Sequence, residues 1–141
     1  MPNPVSLEAI QQALSYQFKT KPLLIGGAAM EYYGLRKRGE DIELIISDED
    51  YTELEKMHPD YKKDIFGDYG ICKEGYEVWR TIMLFDYEHI SKCACEYNGL
   101  LVASLEKLLL LKALGMNEEK YLNDLRLIVK KIIEIQYEQT D

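Results

Sequence analysis

Leu23-Leu24-Ile25-Gly26-Gly27-Ala28-Ala29-Met30-Glu31-Tyr32-Tyr33-Gly34 runs on through Leu35-Arg36-Lys37-Arg38-Gly39-Glu40 to Asp41-Ile42-Glu43-Leu44-Ile45-Ile46. Leu23 to Ile25 is a short apolar run stopped by two glycines, which predicts a buried strand. Ala28 to Tyr33 predicts a short helix, closed by Gly34. Asp41 to Ile46 alternates and is rich in isoleucine, which predicts a second strand. Paired glycines let backbone approach a bulky anion, and a following helix N-terminus offers free N–H groups. A plain tight turn uses the same residues. Asp41 and Glu43 stand at i and i+2, so a strand points both carboxylates to one face. Such a pair at the mouth of a buried strand repels itself unless a cation lies between. Mg²⁺ takes one or two carboxylates plus phosphate oxygens. A solvated strand end would also tolerate the pair.

Working outward, Ser6 to Phe18 predicts a helix capped by Ser6, with Leu7, Ile10, Leu14 and Phe18 at helical spacing. Asp48 is the expected cap of a helix reaching Met57, ended by Pro59-Asp60. Tyr69 to Lys73 and Tyr76 to Leu84 predict a hairpin around Glu74-Gly75, and Asp86 opens a short helix through Ile90. Asn98-Gly99 is a tight-turn signal between strands Cys93–Tyr97 and Leu100–Val102. Ser104 starts a helix through the leucines. A last helix runs from about Glu118 to Gln136, with Tyr121, Leu125, Ile128, Val129, Ile132 and Ile135 as its apolar stripe. The expected fold is α+β: a small mixed β-sheet with helices packed on it and a C-terminal helical hairpin at residues 104–138. The whole chain, 1–141, reads as one domain.

The totals agree with that class. The chain has 141 residues, 47% hydrophobic and 30% charged, enough for a core and too apolar for disorder. Met1-Pro2-Asn3-Pro4 does not read as a signal peptide. The longest apolar run, Leu108 to Leu111, is far short of the ~20 residues that cross a membrane. Cys72, Cys93 and Cys95 make an odd number unsuited to a disulfide framework, and a cytoplasmic location is expected. The net charge of -8 offers no basic stripe for an extended nucleic-acid surface, but a nucleotide arriving with divalent metal is compatible with it.

Other residues have chemistry to offer. Glu77, in Tyr76-Glu77-Val78-Trp79, completes a three-carboxylate set if its strand lies beside Asp41–Ile46; otherwise it is an exposed alternating position. Arg36, Lys37 and Arg38 suit steering of an anion or a solvated loop. Lys112, among leucines, reads as a lysine snorkelling to the surface. Cys93-Ala94-Cys95 lacks the second ligand pair of a zinc site. His58 and His89 are isolated, and Tyr32, Tyr33, Tyr69 and Tyr76 suit base stacking or packing.

The order of these features resembles the polymerase-β-like nucleotidyltransferase superfamily. There a Gly-Gly or Gly-Ser turn opens a helix, a gap of about a dozen residues follows, and then comes Asp-x-Asp or Asp-x-Glu on a strand, with a third acid on a later strand. The chain is most similar to small bacterial members: minimal, antitoxin-type and lincosamide-modifying enzymes. Ser104-Leu105-Glu106-Lys107 through Lys112 to Asn123-Asp124-Leu125 resembles their helical tail. The resemblance implies that Gly26 and Gly27 contact the triphosphate of ATP or another NTP, with Arg36, Lys37, Arg38 and Lys112 as further nucleotide-binding residues. It implies that Asp41, Glu43 and Glu77 are the catalytic and metal-binding acids, holding Mg²⁺ as one ion or as two roughly 3.5–4 Å apart, with Mn²⁺ as a substitute. The implied activity moves a nucleoside monophosphate from an NTP to a hydroxyl of a small molecule or protein. Gly39 and the longer Glu43 depart from the usual pattern and motivate an alternative. The chain would then be a catalytically degenerate member serving as an interaction module, as in a toxin–antitoxin pair. A homodimer that completes the acceptor site is also compatible, and no membrane partner is expected.

Overall fold

The computed structural model describes residues 4–115 and 118–140. Met1-Pro2-Asn3, read above for a signal, Met116 and Asn117 within the 104–138 segment, and Asp141 lie outside the described residues. Among the described residues, six α-helices and nine strands follow one another as α1(Leu7–Leu14), β1(Leu23–Leu24), α2(Gly26–Tyr32), β2(Ile42–Ile45), α3(Asp48–Met57), a 3₁₀ turn (Pro59–Tyr61), β3(Lys62–Ile65), β4(Asp68–Lys73), β5(Tyr76–Trp79), β6(Thr81–Ile82), β7(Phe85–Asp86), α4(Tyr87–Ile90), β8(Cys95–Tyr97), β9(Leu100–Val102), α5(Leu105–Leu114) and α6(Glu119–Thr140). Seven strands form one mixed sheet in the order β3-β4-β5-β2-β1-β9-β8, and β6-β7 form a separate ribbon. The chain is therefore α+β. The sheet is larger than expected, because the β3–β4 hairpin around Phe66-Gly67 carries no Asn-Gly or Asp-Gly signal. Its first strand, Lys62-Lys63-Asp64-Ile65, is exposed throughout.

Several boundaries move for local reasons. Ser6 caps α1 by accepting from the Ala9 N–H, but the helix stops at Leu14 because Ser15 is left-handed at φ 54°, so Phe18 lies outside it. Phe18 instead meets Tyr16 edge-on at 5.0 Å. The cap of α3 is Ser47, whose hydroxyl accepts from the Asp50 N–H, and Asp48 is the first helical residue. The strand expected to reach Leu84 breaks after Trp79, and Met83 and Leu84 adopt left-handed backbone in the β6–β7 turn. Glu74-Gly75 and Asn98-Gly99 both have positive φ at both positions, as tight hairpins require. Asp86 caps α4 and Ser104 caps α5.

The centre of the sheet is apolar. Leu23, Leu24, Leu44, Ile45, Ile71, Val78, Leu100 and Val102 join Ile10, Leu14, Met30, Leu54, Ile90, Leu108 and Ile128, so all six helices contribute to one core cluster. Asp50 is fully buried in this frame. Its carboxylate accepts from the Tyr16 hydroxyl and from the Lys19 and Thr20 N–H groups, which ties α3 to the segment leading into β1. Removing such an acceptor would leave buried donors unpaired. His58, the C-cap of α3, is also buried, with its Nε2 2.8 Å from the Leu14 carbonyl. Of the stripe expected on α6, Ile128 is buried and Val129 is 41% exposed.

Candidate functional site

Pairing of β2 with β5 decides where the acids go. The two strands are parallel, with Glu43 directly opposite Glu77. Cross-strand neighbours share a face, so the two carboxylates stand side by side on the sheet. Cys72 of β4 lies opposite Glu77 in turn, its Sγ 4.0 Å from Glu77 Oε1. Asp41 immediately precedes β2. Burial raises the Glu77 pKa, and the nearby charges of Glu43 and Asp41 raise it further, with Lys63 and Lys120 partly offsetting them. Glu77 is thus close enough to feel the charges of both other acids.

β1 and α2 bring the glycines to the same place. Ile25 donates its N–H to the Glu43 carbonyl at 3.1 Å, which seats the start of α2 against β2. Gly26 and Gly27 are the first two residues of α2 rather than a turn before it. Gly26 has φ +61°, and a Cβ there would sit 2.8 Å from Glu43 Oε2. The Glu43 carboxylate therefore rests on the bare Cα of Gly26. Gly27 faces the following loop: a Cβ would lie 3.4 Å from Arg36 Nη1 and from the Gly39 nitrogen.

The helical tail supplies a buried charge cluster. Asp124 of α6 is 5% exposed and Lys112 of α5 is 7% exposed. Lys112 Nζ lies 3.0 Å from Asp124 Oδ2. Arg36 donates from Nε to Asp124 Oδ1 at 2.6 Å and from Nη2 to Oδ2 at 2.8 Å, a two-pronged contact. Burial alone would raise the Asp124 pKa, but the hydrogen bonds from Arg36 and Lys112 hold it below the usual carboxylate range. Lys112 is thus a buried ion-pair partner and does not snorkel to solvent, because Asp124 neutralises it and the Tyr121 ring lies 4.9 Å beneath it.

Two cavities flank this arrangement. Gly27, Arg36, Glu43, Lys112, Lys120, Tyr121, Asn123 and Asp124 line one of about 370 Å³. Asp41, Lys63, Cys72, Lys73 and Glu77 contribute to another of about 250 Å³. So Glu43 and Glu77 are neighbours, yet they line different cavities, and Asp41 goes with Glu77. Among the described residues, no group of three or more His, Cys, Asp or Glu side chains is gathered so as to hold a metal ion alone.

The remaining sequence candidates fall elsewhere. Arg38 turns back to Glu31, with its N–H donating to Oε2 at 2.9 Å and its guanidinium 3.3 Å from Oε1. Lys37 is exposed. Tyr32 and Tyr33 pack edge-on at 4.9 Å, and the Tyr33 hydroxyl donates to the Ala103 carbonyl. His89 stacks on Phe85 at 4.7 Å. Cys72, Cys93 and Cys95 are free thiols.

Asp124 is the residue that sequence reasoning passed over. A signal was present: Asp124 stands three residues after Tyr121 and four before Ile128, on the helix's apolar stripe. A carboxylate there must be paired, and Lys112 was the other charge misplaced among apolar residues. No family model, curated protein or solved structure matches the chain.

Proposed function

We propose that the chain is a metal-dependent nucleotidyltransferase with a polymerase-β-like nucleotidyltransferase fold, moving a nucleoside monophosphate from an NTP to a hydroxyl group. The observation that carries this reading is the meeting of Glu43 and Glu77 across β2 and β5, against Gly26 and beside the buried Asp124–Lys112 pair with its partner Arg36. Like-charged acids and fixed cations side by side suit a ligand that is itself anionic and accompanied by metal. Burial and then the charges of Glu43 and Asp41 raise the Glu77 pKa, and a divalent cation relieves the charge crowding. Glu43 and Glu77, with Asp41, would hold Mg²⁺; two carboxylates plus phosphate oxygens satisfy it without a protein-only cage. When bound, the metal supplies charge neutralisation on the phosphates.

The chain's own residues account for the rest. Arg36 and Lys112, oriented by Asp124, line the cavity on the Gly27 side and offer positive charge to the triphosphate. Lys120 adds an exposed cation there. Where Asp41 and Glu43 alone hold the metal, Glu77 is the base that accepts the proton of the attacking hydroxyl. The acceptor oxygen bonds to the α-phosphorus as the bond to the bridging oxygen breaks, and pyrophosphate leaves. The cavity bearing Asp41, Lys63 and Glu77 would receive the acceptor.

The test is a thermal-shift and binding titration with Mg²⁺ and each of ATP, CTP, GTP and UTP. Protection by at least one nucleotide, lost in Asp41→Ala and Glu77→Ala, supports the reading. Absence of any binding below millimolar levels overturns it. The separation of Glu43 from Asp41 and Glu77 between two cavities favours a second reading, in which the fold is an interaction module for a partner such as a toxin. That reading predicts partner binding unchanged by Asp41→Ala and no metal-dependent turnover.

A further inference from the structure

Helix α6 has two apolar faces, and the described residues cover only one. Ile128 is fully buried in the core. Leu125, Val129 and Ile133 follow one another at four-residue steps on a different face, with Val129 41% and Ile133 48% exposed. They line a shallow groove with Arg126, Lys130 and Glu134, so every residue lining it belongs to α6. Scattered exposed apolar residues are ordinary on a protein surface, but a stripe repeating at helical spacing is a packing surface.

The charges beside the stripe say what fits it. Arg126, Lys130, Glu134 and Glu138 form one exposed row, again at four-residue steps. Its first half is positive and its second half negative. When two copies of one helix pair antiparallel about a twofold axis, such a row faces its own reversed image. Arg126 then meets Glu138 of the second copy, and Lys130 meets Glu134, each twice. The apolar stripe reverses onto itself as well, Val129 against Ile133. A parallel pair gives the row no such match.

We propose that the occupant of this face is a second copy of the chain, with α6 packed antiparallel on α6 about an axis near residue 132. The segment in contact, residues 125–138, is about 20 Å long at ~1.5 Å per residue. A single helix pair of that length buries less than the roughly 800 Å² per partner of a standard stable interface, so the dimer is weak and concentration-dependent. This inference is independent of the nucleotide reading.

The test is sedimentation velocity on the full chain over three decades of concentration, at low and high salt. A shift from monomer to twice its mass is expected, and salt weakens it by screening the exposed pairs. Glu134→Lys with Glu138→Lys makes the row wholly positive and weakens self-association about tenfold or more. Arg126→Glu with Lys130→Glu makes it wholly negative, with the same effect. An equimolar mixture of the two double variants recovers dimer near the parent's affinity, because the rows are then complementary. All four side chains are exposed, and circular dichroism confirms that each variant folds. A parent that stays monomeric at the highest concentration overturns the proposal. So does a double variant that dimerises as well as the parent, or a mixture that fails to recover dimer.

Discussion

Replacing Asp124 with alanine removes the common partner of two cations. Lys112 is left with its side chain only 8% exposed and no carboxylate at 3.0 Å, and Arg36 loses both prongs. Breaking a buried pair by deleting one member costs about 3–5 kcal/mol, because the remaining charge is uncompensated. The Arg36 side chain is 35% exposed and recovers water, so the lower end applies, about 3 kcal/mol. For a chain of this length that corresponds to a fall of roughly 10 °C in melting temperature. Chemical denaturation of the parent and Asp124→Ala measures it. The paired change Lys112→Met with Asp124→Leu replaces ions with apolar groups and is expected to recover most of the loss. The pH dependence has a definite sign. The folded Asp124 pKa lies below its unfolded value, so the stability it confers is present above the unfolded pKa. It is lost as pH falls through the folded pKa, and the gap between parent and variant closes with it. A loss under about 1 kcal/mol at neutral pH, or a gap that widens with acid, would refute the reasoning.

Further outcomes follow from the same geometry. Glu77→Gln raises the melting temperature of metal-free protein at neutral pH, because the folded Glu77 pKa lies above its unfolded value and the ionised form is penalised. That gain grows as pH rises through the folded pKa and vanishes in acid, and a melting series against pH reads it; a flat difference would count against the crowding of Glu43, Asp41 and Glu77. Gly26→Ala destabilises by about 1–2 kcal/mol for its left-handed backbone, plus the contact with Glu43, and combining it with Glu43→Ala relieves only the contact. Ser104→Ala costs about 1 kcal/mol through loss of the α5 cap, measurable by urea unfolding.

Turn chemistry and capping were legible along the chain. Glu74-Gly75 and Asn98-Gly99 announce hairpins because few residues tolerate paired positive φ, and Ser6, Asp86 and Ser104 announce caps because their oxygens accept helix N–H groups. Apolar spacing located α1, α5 and α6. It did not find β3, whose residues are exposed throughout and carry no periodic pattern. Nor did it predict that α1 stops at Ser15, where the chain leaves the helix so that Tyr16 can reach Asp50.

The local sequence therefore determined the α+β class and the order of most elements, whereas Asp41, expected on the strand beside Glu43, stands just before β2 and lines the Glu77 cavity instead. The class and the element order depend on neighbours within a few residues, where spacing and backbone preference act. The tertiary structure decided the rest. Parallel pairing of β2 with β5 set Glu77 beside Glu43, although 34 residues separate them, and packing of α5 and α6 buried Lys112 and joined it to Asp124 and Arg36. Strand register and the pairing of buried charges arise between distant segments, and no window of sequence contains both partners. The same packing left the Val129–Ile133 face outside the core, because a helix lying on one surface can bury only the side turned toward it.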